Sequence, residues 1–164
     1  MRAEVSEALP AEYPRLSEVT VAAYLAVGTM PDGYVAELAD VAGRAADPGA
    51  VVLAARLAGE VAGGVTLVLD PSSPLAEHLE PGMAGMRMLA VDPAAQGAGA
   101  GRALVEGCIE VCRSRGLRLL SLHTHVVFAR ARALYERMGF TRTPERDLHL
   151  GDDLHLLSYL LELS

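Results

Sequence analysis

Several residue types are scarce or missing in this chain of 164 residues, which has no lysine, no asparagine, no tryptophan and only two cysteines. Cys108 and Cys112 cannot form a disulfide framework, and no further metal ligands lie near them, so we expect buried thiols and no metal site. No apolar run reaches the roughly 18 residues of a membrane-spanning helix. The N-terminus has no basic segment followed by an apolar one, as a signal peptide would. We therefore expect a cytoplasmic protein with no membrane partner.

The charge of the chain argues against another class of partner. Its 14 basic and 21 acidic residues give a formal net charge of −7. Nucleic-acid binding relies on a basic surface that neutralises phosphates, and the arginines here are scattered, so we expect no nucleic-acid partner. The hydrophobic fraction of 51% is ordinary for a globular protein. The length suits a single domain over residues 1–164.

Hydrophobic periodicity predicts helices and strands along the chain. Apolar residues at helical spacing predict helices at residues 11–27, 31–46, 99–115 and 128–138. Short apolar runs predict strands at 51–57, 61–69, 86–91, 117–122, from Phe140, and at 154–163. The first two strands form an antiparallel hairpin. This order indicates a mixed α/β (α+β) fold with one parallel crossover in its middle, through helix 99–115.

A glycine-rich segment lies between strand 86–91 and the helix after it. Gly97, Gly99 and Gly101 stand at alternate positions, and a residue without a Cβ lets a ligand approach the backbone closely. The first N–H groups of a helix have no intrahelical partners, and the helix dipole adds about half a positive charge there. The segment therefore predicts an anion site suited to a phosphate.

Three other interpretations of the glycine segment have to be weighed. A phosphate-binding loop of the NTPase type would end in Gly-Lys-Ser/Thr, which a chain without lysine cannot supply. A dinucleotide-binding fingerprint would begin directly after the strand and be followed by an acidic residue at the end of the next strand. Here Asp92 to Gln96 intervene, and the matching region reads Leu122-His123-Thr124. A structural loop that binds nothing remains open.

Two motifs resemble those of the Gcn5-related N-acetyltransferase (GNAT) superfamily, in its bacterial members. Met88-Leu89-Ala90-Val91-Asp92-Pro93, followed by Gln96-Gly97-Ala98-Gly99-Ala100-Gly101, looks like motif A. Ala131-Arg132-Ala133-Leu134-Tyr135-Glu136-Arg137-Met138-Gly139-Phe140 resembles motif B. Thr143-Pro144-Glu145-Arg146-Asp147 is similar to a tail seen in many bacterial members. The resemblance extends from about residue 84 to 147, and the first 45 residues are only loosely similar.

The resemblance implies the GNAT fold, a central mixed and mostly antiparallel sheet of six to seven strands flanked by about four helices. It implies acetyl-CoA as cosubstrate, with the pantetheine arm against a splayed strand and the pyrophosphate on the motif A backbone. Phe128 stands where many members carry asparagine, so we expect an apolar wall there. The cofactor-binding residues that the resemblance implies are Leu89, Ala90, Val91, Gln96, Gly97, Ala98, Gly99, Ala100, Gly101, Arg102, Phe128 and Ala131.

The resemblance also implies that Tyr135 is the general acid. Acetyl transfer to an amine expels coenzyme A as a thiolate. A phenol with a pKa near about 10 stays protonated at neutral pH, whereas a thiol has a pKa near about 8.5. Tyr135 can therefore donate a hydrogen bond or a proton to the leaving sulfur. The alternative is a core tyrosine that packs at helical spacing with Leu134 and Met138.

The general base is harder to predict. Many members place a glutamate on the strand before motif A, and Gly85 occupies the matching position in this chain. The candidates that remain are Glu80, His78, His123 and His125, each of which is more often an ordinary loop or surface residue. His123 has the best position among them, and alternation along the strand places His123 and His125 on the same face.

We expect an N-acetyltransferase that acts on an amine-bearing small molecule or peptide. A binding module that has kept the acyl-CoA pocket but lost catalysis is the alternative, which Gly85 and Phe128 allow and Tyr135 opposes. A toxin that acetylates aminoacyl-tRNA would need a basic surface, which the net charge of −7 disfavours. The acidic balance mildly favours a cationic acceptor such as a polyamine, an aminoglycoside or a protein N-terminus. A homodimer is common in the family, although no sequence feature fixes an interface.

Overall fold

The structure, a computed structural model, describes residues 2–150 and 154–163. Within these residues the helices are α1 (Tyr13–Leu25), α2 (Asp32–Ala39), α3 (Val41–Ala45), α4 (Ala100–Ser114) and α5 (Ala129–Arg137). The strands of the same part of the chain are β1 (Glu4–Glu7), β2 (Ala50–Leu57), β3 (Glu60–Val68), β4 (Met83–Val91), β5 (Leu119–His125), β6 (Thr141–Arg142), β7 (Leu148–Leu150) and β8 (Leu154–Glu162).

These eight strands form one sheet in the order β1-β2-β3-β4-β5-β8-β6, and β7 pairs with β8. Strands β4 and β5 run parallel, and all the other pairs among the described strands are antiparallel. The chain passes from β4 to β5 through α4, because parallel neighbours need a crossover connection. The predicted hairpin, the parallel crossover and the mixed, mostly antiparallel sheet are therefore confirmed.

Helices cover both faces of the sheet, as two neighbouring glycines of β3 show. A Cβ added to Gly64 would lie 2.7 Å from Leu16 of α1, and one added to Gly63 would lie 3.3 Å from Leu104 of α4. Successive residues of a strand point to opposite faces, so α1 and α4 lie on opposite sides of β3. The missing side chains let both helices approach the strand closely.

The larger core lies between the sheet and helices α4 and α5. It includes Leu104, Cys108 and Cys112 of α4 together with Leu120 and Leu122 of β5. Both cysteines are free and buried, as the sequence predicts. Burial raises the pKa of Cys112 to about 11, which suits an unreactive packing residue.

The structure differs from the sequence prediction in several elements. The prediction of one continuous helix at 31–46 is wrong, because the helix is interrupted at Asp40. The Asp40 carboxylate accepts from the N–H of Gly43 at 3.0 Å, and this cap begins α3 as a new helix. Strand β4 begins at Met83 rather than at residue 86, and β5 begins at Leu119 rather than at residue 117. Strands β1 and β7 have only four and three residues, so they lack a readable pattern and raise the strand number to eight.

Candidate active site

The central opening of the sheet lies where β4 and β5 separate. The two strands pair from Met83 with Leu119 to Met86 with Leu122, and no pairing between them follows in the described structure. Strand β4 continues to Val91 and β5 to His125. The two ends therefore diverge and leave backbone groups facing the gap, as the family resemblance implies for the strand before motif A.

An irregularity in β4 marks the point of divergence. Met88 has a positive φ of 55°, which is strained for a residue with a side chain. The pairing with β3 shifts at the same place, from Arg87 opposite Thr66 to Ala90 opposite Gly64. One extra residue on one strand is the mark of a β-bulge, which bends and twists its strand. The bulge turns the end of β4 away from β5 and so opens the gap.

The glycine segment connects the end of β4 to the start of α4. Gly97 and Gly99 both have a φ of 88°, and a Cβ added at either would meet nothing within 4 Å. Among the described residues, the backbone N–H groups of residues 96–102 donate to no carbonyl or side chain. Residues 96–99 are exposed. The segment thus offers several free N–H groups at the N-terminus of a 15-residue helix, the arrangement that binds phosphate.

Asp92 and Leu134 hold the glycine segment in place. One oxygen of Asp92 accepts from the N–H of Ala94 at 3.0 Å, and the other accepts from Arg15 of α1 at 2.7 Å. On the opposite side, a Cβ added to Gly101 would lie 3.4 Å from Leu134 of α5. The start of the loop is therefore anchored to α1, and the first turn of α4 rests on α5.

A cavity of about 40 Å³ lies within the gap between β4 and β5. Side chains from both faces of the sheet line it, since Leu122 belongs to the core under α4 whereas the next residue, His123, points to the other face. The cavity therefore connects the two sides of the sheet. Its lining residues are Tyr24, Met86, Met88, Leu89, Leu122, His123, Thr124, Phe128, Ala131 and Tyr135.

Tyr135 reaches this cavity from α5. Ala131, four residues earlier, lines the same cavity, because residues four apart share one face of a helix. The ring of Tyr135 packs against Phe140 at 5.7 Å and Tyr159 at 6.2 Å between centroids. In the described structure the Tyr135 hydroxyl has no hydrogen-bond partner, and burial, followed by the nearby Cys108, raises the pKa of this phenol. Tyr135 is therefore both a core residue and a protonated group at the cavity.

Phe128 forms the outer wall of the cavity. It precedes the first residue of α5 and packs edge-on against Tyr24 of α1, with ring centroids 5.0 Å apart. The Tyr24 ring in turn lies 6.0 Å from that of Tyr34 on α2. The apolar wall expected at Phe128 is thus part of an aromatic contact that joins α1 to the loop between β5 and α5.

His123 enters the gap from the face opposite Tyr135. Its side chain is only 1% exposed. The Nε2 atom lies 3.0 Å from the carbonyl oxygen of Arg146, and Nδ1 lies 4.0 Å from Glu77. Glu77 belongs to the loop between β3 and β4, whose shape no sequence pattern predicts.

The surroundings of Gly85, where other GNAT proteins carry the strand glutamate, are tightly packed. A Cβ at this position would lie 3.2 Å from Leu79 and 3.6 Å from the Ser121 hydroxyl. The loop between β3 and β4 therefore fills the space above Gly85 with an apolar side chain and brings Glu77 to the neighbouring strand instead.

The other candidate bases lie in different surroundings. Glu80 is 3.9 Å from Arg146 on an exposed surface, and the carbonyl of His78 accepts from Arg146 at 2.7 Å. His125 accepts the N–H of Val127 at its Nδ1 atom and so closes the turn after β5. None of these three side chains lines the cavity in the gap.

A second, larger cleft of about 580 Å³ lies against α2, α3 and the loop after β3. Met88 lines both this cleft and the cavity in the gap, so the two meet at the bulge of β4. The charged residues that line it are four carboxylates and the two arginines Arg44 and Arg87, of which Arg44 is buried and bonded to Thr66 at 3.1 Å. The acidic residues of the lining are Glu37, Asp40, Asp47 and Asp70.

The structure thus brings the predicted site residues to one end of the sheet. Leu89, Phe128, Ala131 and Tyr135 line one cavity. Ala90 and Val91 continue the diverging strand toward the glycine segment. Arg102 is exposed in the first turn of α4, with its Nε atom 3.9 Å from Glu106. No group of three or more potential metal ligands is found in the part of the chain that the structure describes.

Comparison with known protein families identifies the family of this chain. Residues 13–140 match the model of the acetyltransferase (GNAT) family. The chain belongs to the GNAT acetyltransferase family. Membership confirms the expected fold and places the chain in a family of acetyltransferases. Within the described residues, no helix is long and apolar enough to cross a membrane.

Individual relatives agree with the family. The chain is similar to mycothiol acetyltransferase of Beutenbergia cavernae, at 52% identity over 54 residues that cover 33% of this chain and 18% of that protein. A GNAT-family acetyltransferase of Staphylococcus aureus Mu50 has the same fold at a TM-score of 0.78 and 16% identity, covering 99% and 100% of the two chains. A GNAT-family acetyltransferase of Brucella melitensis, in complex with acetyl-CoA, aligns at a TM-score of 0.67 and 22% identity over 99% and 89%. The match to the first relative spans about a fifth of its length.

Proposed function

We propose that this chain, as one domain over residues 1–164, transfers the acetyl group of acetyl-CoA to a primary amine by direct attack. The observation that carries the proposal is the gap between β4 and β5. Tyr135 lies at the gap on the α5 side, free N–H groups begin α4 beyond the end of β4, and the 580 Å³ cleft opens on the other face. The N–H groups and Tyr135 thus offer a site for acetyl-CoA, and the cleft offers a site for the amine.

Acetyl-CoA binds along the diverging strand in this proposal. The N–H groups of residues 96–102 bind the pyrophosphate, and the exposed side chains of Gln96 and Arg102 add polar contacts. The pantetheine arm pairs with backbone groups of residues 89–91, which β5 leaves free. Phe128 and Ala131 then bound the end of the arm, because both line the cavity where the thioester must lie.

The reaction forms one C–N bond and breaks one C–S bond. The amine nitrogen attacks the thioester carbonyl carbon and gives a tetrahedral intermediate. When this collapses, the sulfur leaves with the electron pair of the C–S bond and receives a proton from the Tyr135 hydroxyl. The nitrogen loses a proton as the amide forms. Starting from an ammonium ion, two protons leave nitrogen in total, of which one ends on the thiol of coenzyme A and one in solvent.

The raised pKa of Tyr135 is compatible with this acid role. In water a phenol is a weaker acid than a thiol, with pKa values of about 10 and 8.5, so burial of the phenol alone would oppose the transfer. The same apolar surroundings disfavour a thiolate as well, as the raised pKa of buried Cys108 beside Tyr135 illustrates. Both groups shift in the same direction, and Tyr135 remains able to protonate the leaving sulfur.

The acceptor in this proposal is a cationic amine that enters through the larger cleft. Glu37 and Asp40 are exposed at the cleft, and the chain has a net charge of −7, so a cation is favoured over an anion. The curated relatives' name makes a mycothiol-type acceptor a second candidate. A polyamine, an aminoglycoside and a peptide N-terminus share the required amine.

An acyl-CoA-binding module without catalysis is the competing function. The packing of Leu79 against Gly85 favours it, because an apolar side chain lies where other family members carry the strand glutamate. A thiol-release assay with acetyl-CoA and one amine at a time separates the two. We expect free coenzyme A and an acetylated product with at least one of spermidine, an aminoglycoside, a free peptide α-amine or a mycothiol-type acceptor. Binding of acetyl-CoA without release from any of these amines would support the binding module.

A further inference from the structure

We propose that His123 is the general base that deprotonates the acceptor ammonium, and that Glu77 is the positioning residue that stabilises its charged form. The inference rests on the proposed function and adds the group that the sequence does not supply at Gly85. Four observations carry it: the tautomer of His123, the isolation of its Nδ1 atom, the approach of Glu77, and the location of the imidazole on the face opposite Tyr135.

The hydrogen bond to Arg146 sets the tautomer of His123. A carbonyl oxygen can only accept, so the Nε2 atom, 3.0 Å from that of Arg146, carries the hydrogen. The neutral imidazole then has its lone pair on Nδ1. Arg146 is held in turn by the loop between β3 and β4, because its guanidinium donates to the carbonyl of His78 at 2.7 Å. The ring is therefore fixed with its basic nitrogen away from Arg146.

The Nδ1 atom is buried and has no hydrogen-bond partner among the described residues. A buried polar atom without a partner is unfavourable, and in a native structure it calls for an explanation, of which a catalytic role is one. The imidazole side chain is 1% exposed and lines the same cavity as Tyr135. An acceptor nitrogen in the gap is the partner that this atom lacks.

Glu77 favours the protonated imidazole. Its Oε1 atom lies 4.0 Å from Nδ1 of His123 and 3.6 Å from Nε of Arg87 on β4. Once Nδ1 takes a proton, the imidazolium faces a carboxylate at salt-bridge distance. The side chain of Glu77 is 22% exposed, so the proton has a way from the buried ring to solvent.

The surroundings of His123 lower its pKa, so that the imidazole is neutral and can accept a proton. Burial lowers the pKa of His123, and the neighbouring His78 and Arg146 lower it further. The Arg146 carbonyl and Glu77 act in the opposite direction. Tyr24, from α1, faces the same cavity as a neutral phenol, since burial keeps its pKa well above the usual value. At pH 7 the ring is therefore uncharged.

In this proposal the two proton transfers take place on opposite sides of the sheet. His123 takes the first proton from the ammonium and passes it to solvent by way of Glu77, which leaves a free amine. This amine attacks the thioester, Tyr135 delivers its proton to the leaving sulfur, and the second nitrogen proton restores the Tyr135 hydroxyl. The base acts on the acceptor face and the acid on the coenzyme face, with the reacting carbon in the gap between them.

The activity test uses His123→Gln, whose side-chain amide keeps a donor for the Arg146 carbonyl but has no basic nitrogen. The probe is butylamine with acetyl-CoA. An alkylamine with a pKa of about 10.4 is free to only about one part in a thousand at pH 7.4 and about one part in ten at pH 9.4. We expect kcat/KM of the variant to fall by up to about a thousandfold at pH 7.4 and by only about tenfold at pH 9.4. A merely structural role predicts equal losses at the two pH values, and that result would overturn the proposal.

Two further measurements complete the test. His149→Gln removes an imidazole from β7 and should leave the whole pH profile unchanged. Glu77→Gln should move the acidic limb of the wild-type profile to lower pH, because the charged imidazole loses its carboxylate. A profile that does not move would contradict the role of Glu77.

An experiment that does not depend on turnover separates this inference from the proposed function. The ¹⁵N spectrum of the imidazoles, with His123 identified by comparison with His123→Gln, should show hydrogen on Nε2 and a lone pair on Nδ1 at pH 7. Hydrogen on Nδ1 would refute the base assignment even in an active enzyme. The expected tautomer in a protein that releases no coenzyme A with any amine would refute the proposed function, and the base assignment with it.

Discussion

Substitution of Gly99 by valine tests the anion site at the start of α4. Gly99 has a φ of 88°, and a Cβ there would meet nothing within 4 Å. The new side chain therefore causes backbone strain without a steric clash inside the protein, and it projects where a phosphate would lie. Gly59, in the hairpin between β2 and β3, has a φ of 82° and equally open surroundings. Gly59→Val is thus a matched control with the same strain at a distance from the site.

The expected losses of stability and of acetyl-CoA affinity can be worked out separately, from the backbone strain and from the lost phosphate contact. A side chain in the left-handed region costs about 1–3 kcal/mol, so both variants should lose roughly 4–8 °C in Tm if the cost is about 2 kcal/mol. A hydrogen bond from a backbone N–H to a charged phosphate contributes about 1.5–3 kcal/mol. Loss of one such bond raises Kd roughly 10- to 150-fold. The two variants should therefore agree in stability and differ in acetyl-CoA affinity.

Calorimetric titration with acetyl-CoA, together with thermal melts, measures both quantities. We expect wild-type affinity in Gly59→Val and the large increase in Kd only in Gly99→Val. Equal affinities of wild type and Gly99→Val would show that the glycine segment does not bind the pyrophosphate. An equal loss in both variants would show that the effect is on the fold.

Three other predictions concern single side chains. Tyr135→Phe should lower kcat by about a hundredfold or more in the thiol-release assay while the Kd for acetyl-CoA stays the same, whereas Tyr13→Phe should leave both unchanged; an undiminished kcat would remove Tyr135 from the mechanism. Asp147→Asn should destabilise the protein by about 2–3 kcal/mol in urea unfolding at pH 7, because Asp147 is 6% exposed and accepts from Arg142 through two bonds of 2.6 Å. These bonds lower the pKa of Asp147, so the stabilisation is present above the ordinary value of about 3.9 and disappears as the pH falls below it; a variant that matches wild type at pH 7 would contradict this account. Cys108 and Cys112 should not react with a thiol reagent in native protein at pH 7.5, since burial raises the pKa of Cys112 to about 11 and raises that of Cys108 as well; rapid reaction without denaturant would show that α4 is not packed as described.

The sequence predicts the glycine segment and the residues of α5 at the site, because each is a motif of residues close together in the chain. Gly97 and Gly99 need a positive φ, and their spacing is visible without a structure. Ala131 and Tyr135 share a helix face because they are four residues apart. These two features depend on local geometry, so a motif in the sequence is enough to find the residues.

His123 is among the predicted candidates for the general base, but its contact with Glu77 could not be predicted, because the two residues are distant in sequence. Glu77 stands in a loop without periodicity and reaches His123 across 46 positions of the chain. The loop is held there by Arg146, which bonds to His78 from 68 positions away. The resemblance of residues 143–147 to a family tail gave no hint that the Arg146 carbonyl would fix the tautomer of His123. Tertiary contacts of this kind appear only in the folded structure.

Strand β1 and the break between α2 and α3 could not be predicted either, because each depends on a contact with another part of the fold or on a single side-chain bond. β1 contains four residues of which only Val5 is apolar, and it is defined by its pairing with β2. The break between α2 and α3 depends on one side-chain bond, from the N–H of Gly43 to Asp40. Hydrophobic periodicity continues across that break, so the pattern predicts one helix where the cap makes two.

Calorimetric titration of the purified protein with acetyl-CoA tests the central claim most directly. The free N–H groups of residues 96–102 and the unpaired end of β4 predict saturable binding of one acetyl-CoA per chain in the micromolar range, about −8 kcal/mol. Competition by coenzyme A should remove this binding, because the two share the pyrophosphate and the pantetheine arm. No binding at millimolar acetyl-CoA would contradict the account, since the glycine segment would then be a structural loop and the gap between β4 and β5 would have no cosubstrate.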